Sequence, residues 1–581
     1  MDFCRRLSWI SVALALVLVT GVPLTVGAQT PPGAATTEPY TPAKDAKDLK
    51  AVLFNWMWGQ GMLKGHDERD MVATLEYKGS GTIQVEGQPC TLTNFRASTN
   101  YQTFSQRIQY ACTRANGQKY SNIEVVSGLY AWNEDVVGAE IGPTKGKVTP
   151  MANTVQERLI RIWASPQGAP KAAVAGTTDK FWLGANPGTL FDGGVDKAGQ
   201  TSLVWQAGKP VVTFPIPGVP GATGTATLDA KYMVEKVVVT QGATTTEFTY
   251  SNYQDWNNPL NKIEVFYAGK MTERKNGAVV RDLTTKETET GNVYVVAPVP
   301  PSVKKAMAGT GQIPQGIWAK PEVPVNTSAP TPRLGSHPDL TGNYQYTDWI
   351  GNYMTGGGRR CGPTQEKGCN RSVNQTEDFE LYSPSRFGQL NRPIYKPEHW
   401  DKVIELDMWT NKYDPVMTCQ PLGVPRQGPP RRIYQSENDV TFIYLGGDAG
   451  GGYGEYRIIP TDGRKRDANA EFDITYMGNS VAHWEGDTLV IDSISFIDTT
   501  WLGRGGFFHS DQMHVVERFT RKGDALLYDV TVEDPEVLVE PWVLPTRVVR
   551  RNMNPNAGLL RERGNCETSF ETDAAATQIR H

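Results

Sequence analysis

Residues 478–533 constrain this chain more than any other stretch, because they alternate with a period of two between short glycine turns. Residues 480–484 and 488–496 flank Glu485-Gly486-Asp487, and residues 513–520 and 525–533 flank Lys522-Gly523-Asp524. Both spacings are those of a β-hairpin, with glycine supplying the positive backbone angle of the turn. In the run Met513-His514-Val515-Val516-Glu517-Arg518-Phe519, residues two apart share a face. One face is therefore Met513, Val515, Glu517 and Phe519, and the other is His514, Val516 and Arg518. A carboxylate set among Met, Val and Phe has to find a partner, take up a proton or meet water inside a cavity. The pattern calls for an antiparallel sheet whose buried side is not wholly apolar.

The start of the chain reads as an export signal over residues 1–28. Arg5 and Arg6 precede an apolar stretch, and Val26-Gly27-Ala28 fits a small-residue cleavage site. No later run is oily and long enough to span a bilayer as a helix. The expected location is therefore periplasmic or secreted. A formal net charge of -4 gives no footprint for nucleic acid. With 58 Gly and 39 Pro, the composition suits short strands with many turns rather than helical bundles.

Six cysteines follow the signal, and an even number in an oxidising compartment reads as disulfides. Proximity pairs Cys90 with Cys112 and Cys361 with Cys369, leaving Cys419 with Cys566. No CxxC pair is present, which argues against a zinc site.

The expected layout is a flexible segment over 29–41, a first domain over 42–297, a proline-rich linker over 298–338, a second domain over 339–570 and a disordered tail over 571–581. A helix is expected where Leu49, Leu53 and Trp56 recur ahead of Gly59, and another where Val155, Leu159, Ile160 and Trp163 share a side. Strand-like runs fill most of the rest of the first domain. Its end carries Val237-Val238-Val239, then Thr244-Thr245-Thr246-Glu247-Phe248-Thr249-Tyr250, then Asn258-Pro259 and Lys262-Ile263-Glu264-Val265. These residues resemble the closing part of the lipoprotein-carrier half-barrel family. That resemblance implies a curved antiparallel sheet around one or two helices, sheltering acyl chains. In the second domain, Met477-Gly478-Asn479-Ser480-Val481-Ala482-His483-Trp484-Glu485-Gly486-Asp487 and His509-Ser510-Asp511-Gln512-Met513-His514 lie within about 220 residues that resemble a large group of secreted bacterial proteins of unassigned activity. No catalytic role transfers from that group. The strand and turn rhythm leads us to expect a mainly β protein whose second domain is a lipocalin-like barrel or sandwich.

Four constellations are candidates for chemistry. Glu517 with His514 or His509 would suit proton transfer, if burial raises the carboxyl toward neutrality; the competing reading is an internal ion pair with Arg457 or Arg547. The same two histidines and Glu517 would make a metal set, but His514 and Glu517 are three apart and a regular strand points them to opposite faces, so no metal is expected. His483 and Glu485 flank Trp484 beside the tight turn, where a core plug and a surface pair explain them. Arg359, Arg360, Arg426, Arg431 and Arg432 have forks suited to anionic ligands, and solvated loops also explain them. Trp484, His483, Arg518, Arg359 and Arg360 are the candidate ligand contacts. The glycine-rich runs at 355–360 and 446–454 lack the Gly-Lys-Ser/Thr ending of a phosphate loop, and no nucleophile elbow, zinc-protease helix or dinucleotide fingerprint is present. The expectation is a cell-envelope protein that binds a lipid-like or aromatic small molecule without a cofactor. A cofactor-independent hydrolase or lyase is the first alternative, and a partner-binding scaffold is the second.

Overall fold

The computed structural model describes residues 46–554 apart from several internal stretches, of which the longest are 178–199, 256–265, 309–324, 345–391 and 445–454. Arg359, Arg360, Cys361, Cys369, Cys419 and Cys566 lie outside the described residues, as do the expected signal and tail. The protein is mainly β, with a large antiparallel sheet and few helices.

Among the described residues, the first half is built on an antiparallel sheet of 13 strands, beside a small pair Leu63–Lys64 and Arg69–Asp70. Its strands are β1 (Thr74–Val85), β2 (Gln88–Asn100), β3 (Ser105–Arg114), β4 (Lys119–Ser127), β5 (Tyr130–Glu134), β6 (Val148–Pro150), β7 (Ser202–Gln206), β8 (Lys209–Pro215), β9 (Ala222–Leu228), β10 (Val234–Gln241), β11 (Thr244–Asp255), β12 (Phe266–Lys275) and β13 (Ala278–Thr290). The chain fills the sheet as two meanders, β1 to β6 and β7 to β13, which join where β13 pairs with β1. Helices α1 (Leu49–Gly59), α2 (Val155–Trp163) and α3 (Gly168–Ala175) share its core. Asp48 caps α1 by accepting from Ala51 N at 2.9 Å. Cys90 and Cys112 form a disulfide between β2 and β3, as their spacing led us to expect.

The second half is a ring of strands. One run pairs β14 (Gly342–Asn343), β15 (Arg432–Gln435), β16 (Asp439–Ile443) and β17 (Tyr456–Pro460) in that order. A second run pairs β18 (Asn479–Glu485), β19 (Thr488–Ile494), β20 (His514–Lys522), β21 (Ala525–Glu533) and β22 (Arg547–Arg550). The two runs join where Tyr344 bridges Arg551 and Asn552 N donates to Asn343 O at 2.8 Å. At the opposite seam, no ladder between β17 and β18 appears among the described residues. Both hairpins read from the sequence are present, turning at Gly486-Asp487 and Gly523-Asp524.

The described part of the proline-rich stretch 298–338 is packed against its surroundings. Helix α4 (Pro301–Ala306) buries Val303, and Met307 just after it, in the first core, while Tyr294 and Val296 just before it enter the second. Residues Arg333–Leu334 pair with His337–Pro338, and this small hairpin lies on the second half through Arg333–Asp487 at 3.1 Å and a His337–Trp484 stack with centroids 4.5 Å apart. Pro301 opens α4, the hairpin turns at Gly335-Ser336, and Val303 and Met307 supply the packing.

Candidate functional site

Strand alternation sends Glu517 into the ring, where it is fully buried. It does not meet an open hollow. Arg457, from β17, places Nη1 2.6 Å from Oε2 and donates from Nη2 to Oε1 at 3.0 Å. Tyr528 donates its hydroxyl to Oε1 at 2.9 Å, and Arg457 also donates to the Tyr444 hydroxyl. Around this pair, Phe519 packs on Phe442 and Tyr528 with centroids 5.0 and 4.8 Å apart. Burial pulls the guanidinium of Arg457 down, but Glu517 and Tyr444 more than offset it, so the group stays above its ordinary value. Burial raises both the Tyr444 and Tyr528 phenols. Four polar side chains thus satisfy one another in an aromatic core, which is the only way such a core holds charge at tolerable cost.

The histidines expected beside Glu517 are elsewhere. His514 faces outward, between Asp492 (Nε2 to Oδ2, 2.9 Å) and Glu533 (Nδ1 to Oε2, 3.1 Å). The hydrogen bond to Asp492 raises its pKa against the pull of partial burial, and Glu533 adds to the rise. Asp492 in turn, bonded to His514 and Arg466, is lowered to about 2 despite its burial. His509 is buried, with Thr500 Oγ1 at 2.7 Å from Nε2 and Ser510 O at 2.8 Å from Nδ1, and burial lowers its pKa. This corrects the proton-transfer trio: Glu517, His514 and His509 occupy three separate environments, and the first two face opposite sides of β20. The proposed ligand contacts also disperse. His483 and Arg518 meet Glu485 on the outer sheet face, at 3.2 and 2.6 Å, while Trp484 stacks on His337. Arg426 is not a ligand fork but a buried partner of Asp414, with bonds of 2.8 and 2.7 Å.

Among the described residues, two concave places stand out. In the first half, a cavity of about 50 Å³ lies under Tyr77, Tyr101, Tyr250 and Tyr267, beside Arg161 and Glu273. Burial pushes the Tyr77 phenol up to about 12. Arg161 and Glu273 bond each other at 3.1 Å, and Arg281 joins them to Glu124 at 3.0 Å. The space suits a few waters.

The larger place is the open seam of the second half. A groove of about 550 Å³ lies there, with Pro421, Tyr456, Ile458, Tyr476 and Met477 among its apolar and aromatic walls. Arg457, Ser480, Thr475 and Glu455 bring polar groups to it. The groove forms because β17 and β18 lie side by side without a ladder. Across the gap, Arg457 Nη1 reaches Ser480 Oγ at 3.4 Å, and Ser480 Oγ is 2.8 Å from Ser493 Oγ. Pairing with β16 puts the main-chain groups of Arg457 and Ile459 toward that strand, since Tyr444 N donates to Glu455 O and Thr461 N to Asn438 O. The main-chain groups of Tyr456 and Ile458 therefore point into the seam. Their side chains are about two-thirds exposed, the most open large apolar pair on any described strand. Gly478 ends one wall with a φ of +71°, and a Cβ there would stand 2.5 Å from the Phe496 ring.

Sequence reasoning reached this wall but not the groove. Met477, Gly478 and Ser480 open the motif read as a hairpin, whereas Tyr456 and Ile458 carry no mark of their unpaired edge. Comparison with protein-family models gives no match, and comparison with curated proteins gives none either.

Proposed function

We propose that this is an exported cell-envelope protein that binds an apolar or aromatic small molecule in the groove between β17 and β18. The observation that carries the reading is the open seam itself: about 550 Å³ bounded by aromatic and aliphatic side chains with a few polar groups among them. Sites for small ligands are commonly of this size and lining. The cavity in the wide sheet, at about 50 Å³, is too small for an acyl chain, so the seam is the better candidate. Glu517 and Arg457 contribute rigidity rather than proton transfer, because they bond each other, Glu517 also accepts from Tyr528, and Arg457 also donates to Tyr444 and Ser480. The resemblance to lipoprotein carriers supports a carrier-like role without identifying the cargo.

The test is mass spectrometry of small molecules retained by the purified protein, set against Thr475→Trp, in which a large ring fills the groove from an exposed position. The expected result is a compound retained by the parent and lost from a variant with an unchanged circular dichroism spectrum. Equal retention by both would place binding elsewhere, and retention by neither would favour a scaffold.

A further inference from the structure

We infer that the seam groove selects ligands carrying a protonated amine on an aromatic or apolar body; this rests on the groove being the binding site. Two charged side chains line it, Glu455 and Arg457. They are not equivalent. The positive charge of Arg457 is matched by Glu517 at 2.6 Å, inside the core. Glu455 has no such match. The residue is half-buried, and among the described residues its carboxylate has neither a hydrogen-bond partner nor an ion pair. Its own carbonyl is engaged, accepting from Tyr444 N at 2.8 Å, so the strand holds the residue in place.

A half-buried carboxylate on the groove wall without a protein donor or cation is poorly compensated, and the natural remedy is a donor brought by the ligand. The groove as a whole carries one uncompensated negative charge, which disfavours carboxylates and phosphates and favours a cation. Tyr456 and Tyr476 line the same space, and aromatic faces attract an ammonium as well as an apolar ring. An arylalkylamine meets all three demands: a charged donor for Glu455, a cation beside the tyrosines, and a ring for the walls near Ile458 and Met477. A simple inorganic cation would leave those walls empty, and an anionic amphiphile would face Glu455 directly.

The experiment is calorimetric titration of the full protein at neutral pH with three indoles of matched size: tryptamine, 3-methylindole and indole-3-acetate. The expected order is tryptamine tightest and indole-3-acetate weakest, with about tenfold between amine and neutral ring for one charge-assisted hydrogen bond. Glu455→Gln is expected to remove that tenfold while leaving 3-methylindole unchanged. Glu455→Met is a second variant of similar length with the same expectation. An acid that binds as tightly as the amine, or an amine preference that survives both variants, overturns the inference while ring binding keeps the site itself. Absence of binding by all three indoles counts against the groove as a binding site and against the amine preference with it.

Discussion

Glu517 shows how much one side chain's setting depends on alternation and how little it depends on residue type. Its inward direction follows from the period-two pattern of β20, and an internal ion pair with Arg457 or Arg547 is a reading the sequence supports. Choosing Arg457 requires the distance across the ring, which no local pattern encodes. Replacing Glu517 by Leu leaves the Arg457 cation buried beside two tyrosines, and the expected loss is about 3 to 5 kcal/mol of stability. The double change Glu517→Leu with Arg457→Met removes both charges and should cost clearly less; denaturant midpoints of the three proteins decide this. His514 makes a pH-dependent contribution of the opposite kind to a buried base. Its folded pKa is raised above the ordinary 6.5 by Asp492, against partial burial, with help from Glu533. The stabilisation is therefore complete below 6.5 and fades as pH rises through the higher folded value. Melting temperatures should show His514→Gln furthest below the parent at mildly acidic pH, with the gap narrowing above 6.5. A gap that widens with pH would contradict the assignment.

At the scale of elements, the hairpins were legible because glycine turns and alternating strands are local signals. Strand β2 was not, since its alternation slips at a bulge between Leu92 and Asn94. Helix α3 was missed for another reason: its Gly168-Ala169-Pro170-Lys171-Ala172-Ala173-Val174-Ala175 is buried on every side and shows no polar face. The disulfide between β2 and β3 spans a separation of 22 residues. For a loop of that size, Cys90→Ala with Cys112→Ala should lower stability by about 3 kcal/mol. Gly478→Ala meets both a positive φ and the Phe496 ring, so a loss of about 2 kcal/mol is expected by chemical denaturation. An unchanged midpoint would mean that this wall of the groove yields easily.

For the whole molecule, composition makes a sound case for a β-rich protein, whereas the packing of the proline-rich stretch depends on contacts that composition does not encode. The two cores are laced together by the residues next to it. Tyr294 donates its hydroxyl to Pro393 O at 2.7 Å and accepts from Tyr395 N at 3.0 Å. Arg107 of the wide sheet stacks over Trp400 at 4.7 Å and donates to Val296 O. Such contacts couple the halves, and a single calorimetric unfolding transition is expected; two well-separated transitions would show that the lacing is weak. The open seam is also a whole-molecule property, since it exists only because one junction of the ring is laddered and the other is not. It is tested most directly by titrating the parent and Thr475→Trp with Nile red, a neutral apolar dye that brightens on leaving water. One saturable site on the parent, absent from an equally stable variant, is the predicted result. Equal dye binding by both proteins would contradict the groove as the ligand site.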